Sequence, residues 1–260
     1  VTRVIVEAGK AAGVELSGGE VVRARCVIAN VNPKLLFERL VAPEHLPDDF
    51  QARIAGYRCG SGTFRMNVAL SALPDFTALP GKQAQPHHAS GIVIAPSLAY
   101  MERAFFDART RGWSAAPIVE LLLPSVVDDS LAPPGMHVAS LFCQHVHPDL
   151  PQVLPGRTWD DARDEVAELM IDTVDRVAPN FKASVIGRRA LTPLDLEREF
   201  GLTGGDIFHG ALGLDQLYAT RPALGAANYR MPVRGLYLCG AGAHPGGGVM
   251  GAPGRNAAAE

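Results

Sequence analysis

Gly240, Gly242 and the run Gly246-Gly247-Gly248 crowd one short stretch that also holds Ala241, His244-Pro245, Val249 and Met250. Backbone without Cβ atoms reaches φ > 0 and lets a flat or charged ligand come close to main-chain N–H groups. The apolar residues Leu236, Tyr237, Leu238 and Cys239 enter this stretch as a buried strand would, and Asn256-Ala-Ala-Ala-Glu260 starts like a helix. A strand, a glycine turn and a helix N-terminus gather unpaired amides and the positive end of a helix dipole, which is the chemistry of an anion or cofactor cradle. The spacing departs from the dinucleotide fingerprint G-x-G-x-x-G. Gly240 and Gly242 fit it, but Pro245 stands where the third glycine belongs. A nicotinamide unit also needs a second strand and an acidic residue about 20 positions further on, and the sequence ends before either could appear. A strand-to-helix turn that uses glycine for packing alone is the competing reading.

Other side chains could add chemistry to this turn. His244 lies inside it, placed either to touch a ligand or to rigidify the turn through a backbone hydrogen bond. Arg255 is expected in solvent, the usual place for an arginine on an early helical turn. Upstream, the glycine-rich segment 201–213 carries Asp206 and His209, with Tyr218 just beyond. It reads as site lining or as a loosened connector. His145 and His147 share one face of an extended segment, but no third ligand follows at a telling spacing, so no metal site is assigned. His87-His88 are expected in a polar loop. No serine elbow, H-E-x-x-H helix or Ser-His-Asp order points to a hydrolase. Cys26, Cys59, Cys143 and Cys239 are dispersed, with no C-x-x-C, and read as thiols of a reducing, cytoplasmic compartment.

The elements that must position these residues fall into three regions. Residues 1–42 read as a β-meander over 1–7, 12–16 and 21–28, which returns into a main sheet at 26–29. Asn32-Pro33 then cap a short helix that Pro43 ends. Residues 43–186 read as a separate domain with strands at 64–70, 92–95, 118–123 and 138–142. Thr158 caps a helix there, whose apolar face runs Trp159, Ala162, Val166, Leu169, Thr173 and Val177. Residues 187–260 return to the first region. Thr192 caps, Pro193 opens and Gly201 closes a helix ahead of the glycine-rich segment and the final strand. The fold class is α/β with α+β mixing.

Composition narrows the function. Apolar content of 47% with 20% charged residues is that of a globular chain large enough for a substantial core. A net charge of −3 argues against a nucleic-acid surface. No apolar stretch reaches the length of a transmembrane span, which leaves peripheral membrane contact open.

The segments Gly205-Asp-Ile-Phe-His-Gly-Ala-Leu212, Leu214-Asp-Gln-Leu-Tyr218, Arg221-Pro222 and Tyr229, with the whole run from Pro232 to Ala258, resemble the end of the phytoene-dehydrogenase-related FAD oxidoreductases. Weaker similarity lies at Thr192-Pro-Leu-Asp-Leu-Glu197, at Pro124-Ser125 with Asp128, at Gly13-Val-Glu-Leu16 and at Val27-Ile-Ala-Asn30. The resemblance implies a C-terminal portion of an FAD-dependent oxidoreductase. It would comprise part of a Rossmann-like FAD sheet (1–42 and 187–260) and an inserted mixed-sheet substrate domain (43–186). The family's opening G-x-G-x-x-G unit has no match in this chain, so an N-terminal FAD-binding half is expected as its partner, and FAD retention by this chain alone is doubtful. By the same resemblance, the amides of Gly247, Gly248, Val249 and Met250 would meet the flavin's pyrimidine edge. Gly240, Ala241 and Gly242 would pass its pyrophosphate or ribityl chain. His209, Tyr218 and His244 are the catalytic candidates. The implied reaction is hydride transfer to flavin from an apolar, phytoene-like or amine substrate, with amine oxidase and flavin-dependent isomerase as variants. The alternative from another class is a non-catalytic assembly module that keeps the fold. Sheet edges left uncovered would favour a homodimer.

Overall fold

The computed structural model describes all residues 1–260. In chain order its main elements are β1 (Arg3–Glu7), β2 (Lys10–Glu15), β3 (Val21–Arg23), β4 (Val27–Ala29), α1 (Asp48–Ala55), β5 (Thr63–Leu70), β6 (Ile92–Ile94) and α2 (Leu98–Arg111). There follow β7 (Trp113–Leu122), β8 (His137–Val146), α3 (Trp159–Asp175), β9 (Val185–Leu191), α4 (Pro193–Phe200), β10 (Leu236–Leu238) and α5 (Ala252–Ala259). The mixed helix-and-sheet class read from the sequence is the class observed. No helix is long and apolar enough to cross a membrane.

The chain forms two compact units, Val1–Ser61 with Asp206–Glu260, and Gly62–Gly205. Composition places the boundaries at 42/43 and 186/187. They fall later because α1 returns Phe50 and Ile54 to the first unit's core and because β9 hydrogen-bonds along β5.

In the first unit β1, β2 and β3 form the expected antiparallel meander. Beside it β4 pairs in parallel with β10, Leu236 opposite Val27 and Leu238 opposite Ala29, so strands far apart in sequence lie side by side. Asn32 accepts a 2.8 Å bond from the Lys34 amide and opens a single helical turn, Pro33–Leu35, which widens over Leu36–Leu40. Phe37 meets Phe50 edge-on, with ring centroids 4.8 Å apart, in a core shared with Leu36, Ile54, Leu236 and Leu238. The final helix starts at Ala252, ahead of the expected 256, because Gly251 (φ +69) turns the chain and Pro253 suits a first helical turn.

In the second unit five antiparallel strands run in the order β6-β7-β8-β5-β9. Phe64, Met66, Val68 and Leu70 of β5 all point to one buried face, at 1% exposure or less. Helix α3 packs on that face through Trp159, Ala162, Val166 and Met170. Its buried stripe also takes in Ala167, Ile171 and Val174, whereas Leu169 and Val177 of the expected face are only partly covered. His88 is no loop residue in solvent. It is 1% exposed, and its Nδ1 accepts from the Gln85 amide at 3.0 Å while Nε2 donates to the Pro74 carbonyl at 2.9 Å.

Helix α4 has the capping expected of it but belongs to this unit, not to the glycine-rich side. The Asp195 carboxylate accepts from the Thr192 amide at 2.9 Å, and the Arg163 guanidinium of α3 clamps it at 2.7 and 3.0 Å. Burial alone would raise the Asp195 pKa, but the bonds from Arg163 and Thr192 outweigh it and hold the carboxyl below its usual range. A depressed carboxyl adds stability above its unfolded pKa and loses that contribution as pH falls through the folded value. Asp195→Ala should therefore cost about 2 kcal/mol at neutral pH and progressively less in acid, read by urea unfolding across pH.

Candidate functional site

The site is built wholly within the first unit. Strand β10 ends at Leu238, and the Cys239 amide is tied to the Ala29 carbonyl at 2.9 Å, so the chain leaves the parallel pair beside Asn30. A Cβ on Gly240 (φ +79) would lie 1.8 Å from Asn30 Oδ1, and one on Gly242 would lie 2.7 Å from Pro33 Cδ. Both positions are thus glycine because the protein's own side chains fill the space. Gly246 and Gly248 have φ of +104 and +121, values that L-residues rarely adopt. Val249 follows at φ +57, fully exposed, and a β-branched residue there is strained by about 1–2 kcal/mol.

A cavity of about 770 Å³ opens along this turn, inside the range of about 300–1,000 Å³ usual for small-molecule sites. Gly240, Ala241, Gly247, Gly248, Val249 and Met250 line it, joined from the glycine-rich loop by His209. The amides of Gly247, Gly248, Val249 and Met250 are bonded to no protein acceptor. Donors left free along a cavity wall are what a planar ligand with carbonyl and ring-nitrogen acceptors requires. Gly242, Tyr218 and His244 are not on the wall. Tyr218 and His244 instead stack obliquely on each other, ring centroids 5.9 Å apart. The Tyr229 hydroxyl donates to the His244 carbonyl at 2.9 Å and accepts from the Asn256 side-chain amide of α5 at 2.8 Å. Arg255 is exposed, as its position suggests.

Two buried residues, Arg221, whose burial the sequence does not reveal, and Asp206 of the glycine-rich loop, hold the cavity's walls. Arg221 is fully buried and meets no carboxylate. It donates to the carbonyls of Ala241 at 2.7 and 3.0 Å, Phe208 at 2.8 Å, Ala211 at 3.2 Å, Gln216 at 3.3 Å and Gly210 at 3.5 Å. One guanidinium therefore fastens the loop 206–217 to the glycine turn. Asp206, 1% exposed, accepts from the amides of Gly60, Phe208 and Gly210. The only hint in the sequence is Arg221-Pro222 directly after the glycine-rich loop, and an arginine in such a segment reads as a surface residue.

His209 stands in the left-handed region (φ +56), and its Nδ1 is buried without a hydrogen-bond partner. Burial depresses its pKa, with Asp206 pulling the other way and Arg221 adding to the depression. The ring is accordingly neutral at physiological pH. Burial likewise raises the Tyr57 phenol, whose hydroxyl bonds the His209 carbonyl at 2.8 Å, and the Cys59 thiol. A histidine kept neutral in the fold withholds protons that the unfolded chain takes up near pH 6.5, so stability falls as pH drops through that value. His209→Asn, which tolerates the same φ, should flatten the stability profile between roughly pH 7.5 and 5.5. An unchanged slope in the variant would remove His209 as its source.

No family model matches the chain. The chain is 47% identical over 256 residues to pyridine nucleotide-disulfide oxidoreductase domain-containing protein 2 of Rattus norvegicus, covering 96% of this chain and 43% of that protein. It is 25% identical over 259 residues to the phytoene desaturase (lycopene-forming) of a Paracoccus species, covering 98% of this chain and 47% of that protein. Among solved structures, an oxidoreductase from Methanosarcina mazei superposes with a TM-score of 0.57 at 18% identity, over 95% of this chain and 44% of that one. This last likeness is one of fold alone. The chain spans less than half the length of the relatives it matches.

Proposed function

The chain is a relative of the phytoene-dehydrogenase-related oxidoreductases, and from that kinship we propose that it forms part of an FAD-dependent oxidoreductase whose flavin lies along the glycine turn. The observation that carries the reading is the row of unbonded amides at Gly247, Gly248, Val249 and Met250 on a cavity of ligand size. These N–H groups would hold the polar edge of the ring and stabilise negative charge gathering there. When bound, a flavin supplies a hydride acceptor for a substrate C–H bond. Ala241 and Gly240 would support the cofactor's chain as it leaves the ring. His209, neutral and with a free Nδ1, is the one catalytic candidate on the wall, where it can orient a ligand or take up a proton. Tyr218 and His244 act at most through the shape of the turn. In this proposal the first unit is the cofactor side and the second unit the substrate side.

The substrate is proposed to be apolar, in keeping with the desaturase named among the relatives, and the working form to be a homodimer. The full-length protein should purify yellow, with a flavin spectrum that bleaches on anaerobic addition of a long-chain polyene. Bleaching by an alkylamine instead would redirect the substrate class. A colourless protein that stays colourless on reconstitution with FAD would refute the cofactor reading. Light scattering on the same sample reports the oligomeric state.

A further inference from the structure

The face of the five-stranded sheet opposite α3 carries two charged side chains, Arg65 and Glu120, that form no ion pair within this chain. Residues directly opposite one another in an antiparallel sheet point to the same side. The register places Arg65 of β5 opposite Phe142 of β8, and Phe142 opposite Glu120 of β7. The neighbours of these residues along each strand (Phe64, Met66, Val119, Leu121, Leu141 and Cys143) fill the core on the other side. Arg65, Phe142 and Glu120 thus form one row across three adjacent strands, and all three are only partly exposed.

Arg65 lies over the Phe142 ring, 5.1 Å from its centroid, and its Nη2 donates to Ser140 Oγ at 3.0 Å. It has no carboxylate partner, and Glu120 has neither an ion pair nor a side-chain hydrogen bond. The Cα atoms of the two charged residues stand two strand spacings apart, about 9.6 Å, and the phenyl ring fills the interval. A guanidinium offers five donors, and a carboxylate accepts on both oxygens. Leaving both partly desolvated and unpaired is unfavourable, whereas a ligand of matching polarity would satisfy them together.

We propose that this row binds a small zwitterion, its carboxylate at Arg65, its ammonium at Glu120 and its carbon chain along Phe142. Spacing favours an ω-amino acid over an α-amino acid, because the two charges must straddle the ring. Such binding needs no flavin.

The test is calorimetric titration of the full-length protein with 6-aminohexanoate, hexanoate and hexylamine as probes. 6-Aminohexanoate should bind at least about tenfold more tightly than either singly charged probe. Arg65→Leu should abolish the gain over hexylamine and leave hexylamine binding intact, and Glu120→Gln should abolish the gain over hexanoate and leave hexanoate binding intact. A crossed pattern of that kind cannot come from general misfolding. Equal affinities for the three probes, no binding of any of them, or equal loss of all three in both variants would overturn the proposal.

Discussion

Arg221→Met should destabilise the first unit by about 3–5 kcal/mol, the scale expected when a buried charged hydrogen-bond network loses its central member. The side chain is fully buried, and the carbonyls of Phe208, Gly210, Ala211, Gln216 and Ala241 converge on it. Methionine fills much of the volume but donates nothing, so these oxygens lose their shared donor away from water. Arg221→Lys should fall between, because an ammonium keeps the charge but cannot reproduce the planar fork that reaches both the loop and the turn. Urea unfolding of the three proteins provides the comparison. A methionine variant within about 1 kcal/mol of the parent would mean that relaxation or water replaces the clasp.

Gly210→Ala should be almost as damaging, for a steric reason. The residue has φ +134, and a Cβ there would lie 2.0 Å from the Tyr57 hydroxyl and 2.3 Å from the ring carbon that bears it. Tyr57 is only 3% exposed and its hydroxyl bonds the His209 carbonyl, so the ring has no vacant direction in which to swing. We expect a loss of about 3–4 kcal/mol, compounded of overpacking and an unfavourable backbone region. In a Tyr57→Leu background the same substitution should cost only the backbone part, about 1–2 kcal/mol. Additive losses in the double variant would show that the collision with Tyr57 is not the cause.

Features governed by local rules were legible in the sequence. Thr192, Thr158 and Gly201, the last in the left-handed conformation (φ +67), cap helices where they are expected. The alternation of β5 declares its buried face. The glycine turn can be read for a related reason, since residues other than glycine rarely adopt the backbone of Gly246 (φ +104) and Gly248 (φ +121). What escaped depends on partners distant in the chain or on burial too slight to print a pattern. Helix α2 is capped by Ser97 and ended by Gly112 but fully buries only Ala104 and Ala108, so it shows no apolar stripe. Strand β9 carries Arg188 and Arg189 at the sheet's edge and looks like a connector, which pulled the domain boundary forward. The clasp of Arg221 leaves no signal, because its acceptors are main-chain carbonyls that any sequence supplies. Of the residues singled out in the sequence, Gly240, Ala241, Gly247, Gly248, Val249, Met250 and His209 line the cavity, whereas Gly242, Tyr218 and His244 do not.

The free amides of the glycine turn have a spectroscopic consequence. Protons bound to no internal acceptor exchange with solvent deuterium quickly, whereas those locked in β10 and its neighbour exchange slowly. Positions 247 to 250 are therefore a built-in occupancy gauge. A molecule that seats against them would slow their exchange in a contiguous block, whatever its colour and whether or not it reacts.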